Sequence, residues 1–168
     1  MKIRSKLRPV TAVLIAAFLW LASANPAQSG AIPKTILGTW IVIRVIPTTT
    51  ISCWDDARAK ALLRTELEYS PEIFRWKNIV TKHPVAKTIM ITAQQFHDQE
   101  SGGGHDSSQV TFQELGIKAN NVTEIAIAHP PANITGATIE IPGDRVLVKD
   151  ANTLIFSACN VYFEARRV

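Results

Sequence analysis

The sequence predicts a mainly β protein, an antiparallel sandwich or barrel with one short helix in its N-terminal half. Three observations carry this. Short β-branched and aromatic runs recur between turn signals, only one stretch has a convincing helical pattern, and strands do not alternate with helices as a parallel sheet requires. The 168 residues, 46% of them apolar, suffice for one ordinary domain and are too apolar and too weakly charged for a disordered chain.

Residues 1–24 read as a secretory signal: a basic start, the apolar run 10–21 (VTAVLIAAFLWL), then Ala22, Ser23 and Ala24. The apolar run is shorter than the roughly 20 residues that span a hydrocarbon core. An uncleaved anchor is the other reading. Cleavage after Ala24, or after Ala27 given Pro26, leaves 25–168 as a single domain, periplasmic or secreted and without stable membrane insertion.

A polar arm over 25–34 leads into the first strand, 36–46 (ILGTWIVIRVI), which is too branched for a comfortable helix and stops at Pro47. Residues 55–65 (DDARAKALLRT) predict the helix, with Asp55 and Asp56 at the positive end of its dipole. Residues 66–69 and 73–76 form a hairpin around Ser70-Pro71-Glu72, since proline is pre-set for the first central turn position. Further strands follow at 85–92, 110–112, 122–128, 137–141, 145–149, 153–157 and 161–166. Turn residues between them include His129-Pro130-Pro131, Pro142-Gly143-Asp144 and Asp150-Ala151-Asn152. Residues 112–117 (FQELGI) suit one helical turn, and no internal repeat or linker is visible.

The formal charge of +4 overstates the basic character. Lys2, Arg4, Lys6 and Arg8 lie in the signal and no acid precedes Asp55, so the remainder holds 14 basic and 14 acidic residues. A neutral chain is a poor partner for nucleic acid, whose binding rests on clustered positive charge. Cys53 and Cys159 are the only cysteines, both in the exported part. An oxidising compartment favours a bridge between them, worth roughly 4 to 5 kcal/mol in the chain-entropy model; a pair of buried thiols is the alternative. The bridge would make the end of the first strand region a neighbour of the last.

Gly38-Thr39-Trp40, on the opening strand shortly after the signal, resembles the glycine-x-tryptophan signature of the lipocalin or calycin group of ligand-binding barrels. The resemblance implies that Trp40 closes one end of a barrel and packs against a basic side chain of the last strand, either Arg166 or Arg167. Many members also tie an early segment to the C-terminal region by a disulfide. The chain departs from the group in lacking a threonine-aspartate-tyrosine signature and a C-terminal helix, in its short mature length, and in carrying a helix where lipocalins have a long first loop. It looks most like the compact bacterial lipocalin-like barrels.

In a barrel alternate residues face inward, which puts Trp40, Val42 and Arg44 on one face of the first strand and Ile41, Ile43 and Val45 on the other. Trp40, Trp54, Trp76, Phe112 and Tyr162 are the aromatic candidates for lining a ligand cavity, although a barrel this small is equally able to fill itself with side chains. The segment 96–108 (FHDQESGGGHDSS) gathers His97, Asp98, Glu100, His105 and Asp106, residue types that ligate transition metals, but glycines and polar residues also suit a plain hairpin tip. Asp55 with Asp56, and Glu66 with Glu68, are explained by a helix start and an outward strand face. His83 and His129 precede prolines and read as loop residues. No nucleophile elbow or phosphate loop is present. Asn121-Val122-Thr123 and Asn133-Ile134-Thr135 match the N-glycosylation pattern, which matters only on a eukaryotic secretory route.

The residues therefore predict a non-catalytic binding protein without a cofactor, taking a small hydrophobic or amphipathic ligand at a barrel mouth. A protein-interaction module, such as a periplasmic inhibitor of a lysozyme or peptidase acting through residues 101–108, is the second expectation, and a metal-dependent enzyme using the same loop the third.

Overall fold

The β-branched run after Gly38 forms the long strand β2 (Gly38–Ile46), and it lies beside the last strand of the chain, β10 (Val161–Arg167). The structure, a computed structural model, describes residues 28–48, 52–100, 110–128 and 141–168. The other strands are β1 (Gln28–Gly30), β3 (Glu66–Tyr69), β4 (Ile73–Trp76), β5 (Ile79–Lys82), β6 (Val85–Thr92), β7 (Asn121–Ala128), β8 (Arg145–Asp150) and β9 (Thr153–Ala158). Two short helices, α1 (Asp56–Lys60) and α2 (Ala93–Glu100), complete the elements. All ten strands join one antiparallel sheet in the order β1-β6-β7-β8-β9-β10-β2-β3-β4-β5. Among the described residues the ladder is not closed, and β1 and β5 are its ends.

Eight antiparallel steps lead from β6 to β5 along this order, so the two strands run in the same sense. Only His83 and Pro84 separate them in sequence. Residues 79–92 thus act as one bent strand that pairs with β4 before the bend and with β7 after it. His83 takes the left-handed φ of 47° that turns the chain, and Pro84 fixes the backbone beyond it.

The β2–β10 pair is clamped at both ends. At one end Trp40 is wholly buried and donates its indole N–H to the Ile36 carbonyl at 2.8 Å, while the Arg167 guanidinium lies 4.2 Å from its ring centre. Arg167 also donates to the carbonyls of Leu37 and of Thr35, the latter at 2.6 Å, and so straps the segment before β2 across the end of the sheet. Gly38, at φ +120°, leaves room for that guanidinium, which sits 3.2 Å from where a Cβ would stand. At the other end the Cys53–Cys159 disulfide, with Cα atoms 5.4 Å apart, ties the chain after β2 to the β9–β10 turn.

Between the clamps the pairing shifts: Glu164 faces Arg44 but Ala165 faces Val42, so Ile43 is an unpaired bulge. A bulge reverses the alternation beyond it. Arg44 therefore does not share the face of Trp40 and Val42, as strict alternation predicts. It leaves that face and binds the Glu164 carboxylate instead.

The sheet buries one face and part of the other. Trp40, Leu67, Tyr69, Phe74, Phe156 and Phe163 meet in the larger apolar cluster, where Tyr69 stacks on Phe74 at 5.3 Å and Phe156 on Phe163 at 5.2 Å. The opposite face is covered by α2 and residues 110–117, whose Phe96, Phe112 and Leu115 pack on Ile91, Leu147, Ile155 and Tyr162. This explains the nearly unbroken apolar run of β9, in which Leu154 and Phe156 serve one cluster and Ile155 the other.

Several sequence expectations are corrected. The arm at 25–34 includes a strand, since Gln28–Gly30 pairs with β6 through backbone groups that carry no side-chain pattern. The helix expected over 55–65 keeps only Asp56–Lys60 as helix, because the backbone of Arg64 and Thr65 is taken by Val42 of β2. Residues 79–82 form a strand that was not expected, and residues 110–112 are not one. Ile141 lies in a turn. Residues 93–100 are helical rather than part of a hairpin tip, started by a reciprocal cap in which Gln95 N–H donates to the Thr92 hydroxyl and Thr92 N–H to the Gln95 side chain. Residues 1–24, 101–108, 129–131 and 137–140, and Asn133, lie outside the described residues.

Gly143, in the turn before β8, shows how closely the chain is folded over β3. A Cβ there would stand 2.7 Å from Leu67 Cδ2 and 2.8 Å from the Tyr69 hydroxyl, and its φ is +84°. Tyr69 donates its hydroxyl to the Gly143 carbonyl at 2.7 Å. Burial, reinforced by Asp144, pushes the phenol well above its ordinary pKa and keeps it a donor. Gly143→Ala should cost about 2 to 4 kcal/mol, from overpacking plus backbone strain, as read by urea unfolding. Trp40→Ala should cost roughly 3 to 5 kcal/mol, the range for truncating a buried aromatic. A loss below about 1 kcal/mol would show that the Trp40 clamp is not structural.

Candidate functional site

Pro47, which cannot donate to a ladder, ends β2 and sends the chain across the β9–β10 turn. That turn is built by Cys159 and Asn160 at φ 54° and 61°, the mirror-image geometry that suits a two-residue hairpin. Cys53 N–H and the Ser52 hydroxyl both donate to the Cys159 carbonyl, at 3.3 and 3.0 Å, and Trp54 N–H donates to the Ser52 hydroxyl at 2.9 Å. These bonds and the disulfide bring Trp54, half-buried, onto the edge of the larger apolar cluster. Asp55 then caps α1 by accepting from Arg58 N–H at 2.8 Å, and Ala59 buries itself beneath the helix.

The result is an open cleft of about 200 Å³ between the end of β2, the α1 segment and the β9–β10 turn. Val45, Ile46, Pro47, Ala59 and Val161 give it apolar walls, Trp54 an aromatic one, and Thr48, Ser52 and Asn160 polar groups. Among the described residues, Asp55 and Asp56 are the only charged ones lining it. Lys60 approaches Asp56 at 3.9 Å, a solvent-exposed pair of little energetic weight.

On the opposite face a second polar group ties α2 to the sheet. Tyr162 donates its hydroxyl to Glu100, and Arg145 donates to Gln99 at 2.7 Å and to the buried Glu124 at 2.8 Å. Burial opposes the Arg145 charge, but the Glu124 carboxylate outweighs it and raises its pKa above the ordinary arginine value. The void beside these residues is about 20 Å³, room for a single water molecule. Further along the face Glu164 is buried among Arg44 at 2.6 Å, Lys149 at 3.5 Å and Arg166 at 3.8 Å.

The aromatic residues proposed from sequence fall in separate places. Trp54 alone lines the cleft. Trp40 is locked under Arg167, whereas Arg166 is exposed on the other face beside Glu164. Trp76 is half-buried on β4 with the Lys77 ammonium 4.8 Å over its ring. Phe112 and Tyr162 belong to the cluster under α2, each near Phe96. Among the described residues the five do not line a common cavity: the sheet separates Phe112 and Tyr162 from the three tryptophans, and of those Trp40 is wholly buried in the core. His97 and Asp98 are neighbours on α2, 3.5 Å apart, and among the described residues no group of three or more His, Cys, Asp or Glu is placed to hold a metal; His105 and Asp106 lie outside them. His83 pairs with Glu72 at 3.1 Å and Glu68 with Arg75 at 3.1 Å.

No protein-family model, curated protein or solved structure matches this chain.

Glu164 supplies a test by pH. Burial opposes its charge, but Arg44 and Lys149 outweigh it and hold its pKa below the ordinary value of 4.5. A depressed carboxylate contributes stability that is fully present above its unfolded pKa and lost as pH falls through the folded one. Unfolding by urea should therefore show stability falling below about pH 4.5, with a shallower fall in Glu164→Gln. Equal slopes would show that the buried Glu164 carboxylate adds nothing to acid sensitivity.

Proposed function

We propose that the chain is an exported, non-catalytic binding protein of lipocalin-like type that takes a small amphipathic ligand at the mouth of a β-barrel. The observation that carries this reading is the open cleft beside the disulfide, with Trp54 forming its aromatic wall. Ligand sites are typically concave and mainly apolar with a few polar groups, which describes this cleft and not the interior. The interior positions hold Trp40, Tyr69, Phe74, Phe156 and Phe163, each at most 2% exposed, so the ligand belongs at the mouth.

The barrel reading is supported by the bent strand. With residues 79–92 counted as one strand, β2 to β10 make an eight-stranded up-and-down meander in which the last strand pairs with the first. The Trp40–Arg167 stack occupies the place that the lipocalin resemblance assigns to its tryptophan and basic residue. Export is supported by the signal-like build of residues 1–24 and by the disulfide, and none of the helices among the described residues is long and apolar enough to cross a membrane.

Native mass spectrometry of the mature protein, purified without detergent from the exported fraction, tests the reading. The expected result is a mass excess of a few hundred daltons that disappears on denaturation and is absent in Trp54→Ala. A clean mass, two hydrogens below the sequence value, overturns the carrier and moves the search to a protein partner.

A further inference from the structure

We infer that the Cys53–Cys159 bridge is a thiol-exchange site: a dithiol reduces it in the folded protein and releases residues 52–58, while the sheet stays paired. Three observations carry this. The bridge is reachable, since Cys53 is exposed and Cys159 half-buried at a hairpin turn. The turn is strained, because Cys159 holds the first central position of a two-residue hairpin at φ 54°, a left-handed place that asparagine, aspartate or glycine usually takes. Exposed or strained disulfides are the ones that exchange readily with external thiols. Lastly, the bridge is not alone on its ladder, as Trp40 under Arg167 and Arg44 on Glu164 fasten β2 to β10 without it.

What the bridge holds in place is short. The Ser52 hydroxyl, at 3.0 Å, and the Cys53 N–H, at 3.3 Å, both donate to the Cys159 carbonyl in the strained turn. Further on, Ala59 and Leu62 are buried in the larger cluster and anchor the chain, so the release stops before them. Trp54 leaves with the freed stretch, and the cleft loses its aromatic wall. The redox step itself is independent of any occupant there. One thiolate of the dithiol bonds to Cys53 Sγ, the disulfide breaks, and its electron pair leaves on Cys159 Sγ. The second thiol, once deprotonated, attacks the mixed disulfide, which closes the reagent's own disulfide and frees the Cys53 thiolate. Two electrons and two protons pass from the dithiol to the cysteine pair.

Dithiothreitol treatment of the intact mature protein at neutral pH, with the thiols trapped by iodoacetamide and counted by mass, tests this. Without urea, reduction should run within about 100-fold of its rate in the urea-unfolded chain, and the rate should stay flat as urea rises toward the unfolding transition. Hydrogen exchange of the reduced protein should show protection lost by about tenfold or more over residues 52–58, with the amides of β2 and β10 still protected. A native rate more than about 100-fold below the unfolded one, or one that climbs with urea, means that thiols reach the bridge only through unfolding, and the exchange site is overturned. Unchanged exchange over residues 52–58, or protection lost across β2 and β10 as well, overturns the local release.

Discussion

Everything in this fold hangs on the pairing of β2 with β10. Among the described residues it is the only ladder that joins the strands β3 to β5 to the strands β6 to β9, which are otherwise linked through the bend at His83 and Pro84. The chain fastens it three times over: Trp40 under Arg167 at one end, Arg44 on Glu164 at the bulge, and the disulfide at the other end. Each fastening uses different physics, respectively a partly buried cation over a ring, a buried carboxylate paired with a half-exposed guanidinium, and a covalent link that limits the unfolded chain. Long-range pairing between the first and last strands costs loop entropy that local contacts cannot return, which is why the reinforcement concentrates there.

The same junction positions the candidate site. Because the disulfide holds the segment after β2 against the β9–β10 turn, Trp54 and the start of α1 are brought over the ends of two strands whose inner residues already belong to the core. A filled core and an open cleft are then two sides of one arrangement. On the far face, α2 is held by Tyr162, Glu124 and Arg145, and it covers a second apolar cluster.

Much of this was legible in the residues. Alternating β-branched runs, turn chemistry at Pro142-Gly143-Asp144 and Asp150-Ala151-Asn152, and a lone pair of cysteines point to short antiparallel strands and to a bridge between Cys53 and Cys159. The helix α2 had a readable sign as well, since Thr92 and Gln95 stand at capping-box spacing, as do Thr111 and Glu114 before the turn at 112–116. β1 and β5 had weaker signs. Edge strands are held by backbone hydrogen bonds, and those bonds leave little mark on side-chain pattern.

The sequence by itself determined the strand class of the fold, the most prominent strand, the hairpin turns and the identity of the cysteine pair, because these follow from local propensity and from composition. Only the tertiary structure decided that Ile43 is a bulge and Arg44 turns away from the core, that residues 79–92 bend into two pairings, and that Trp54 rather than Trp40, Trp76, Phe112 or Tyr162 stands at an open cleft. Those outcomes depend on which residue lies opposite which across more than a hundred positions of chain. Register of that kind is set by packing between distant segments, and no window of neighbouring residues contains it.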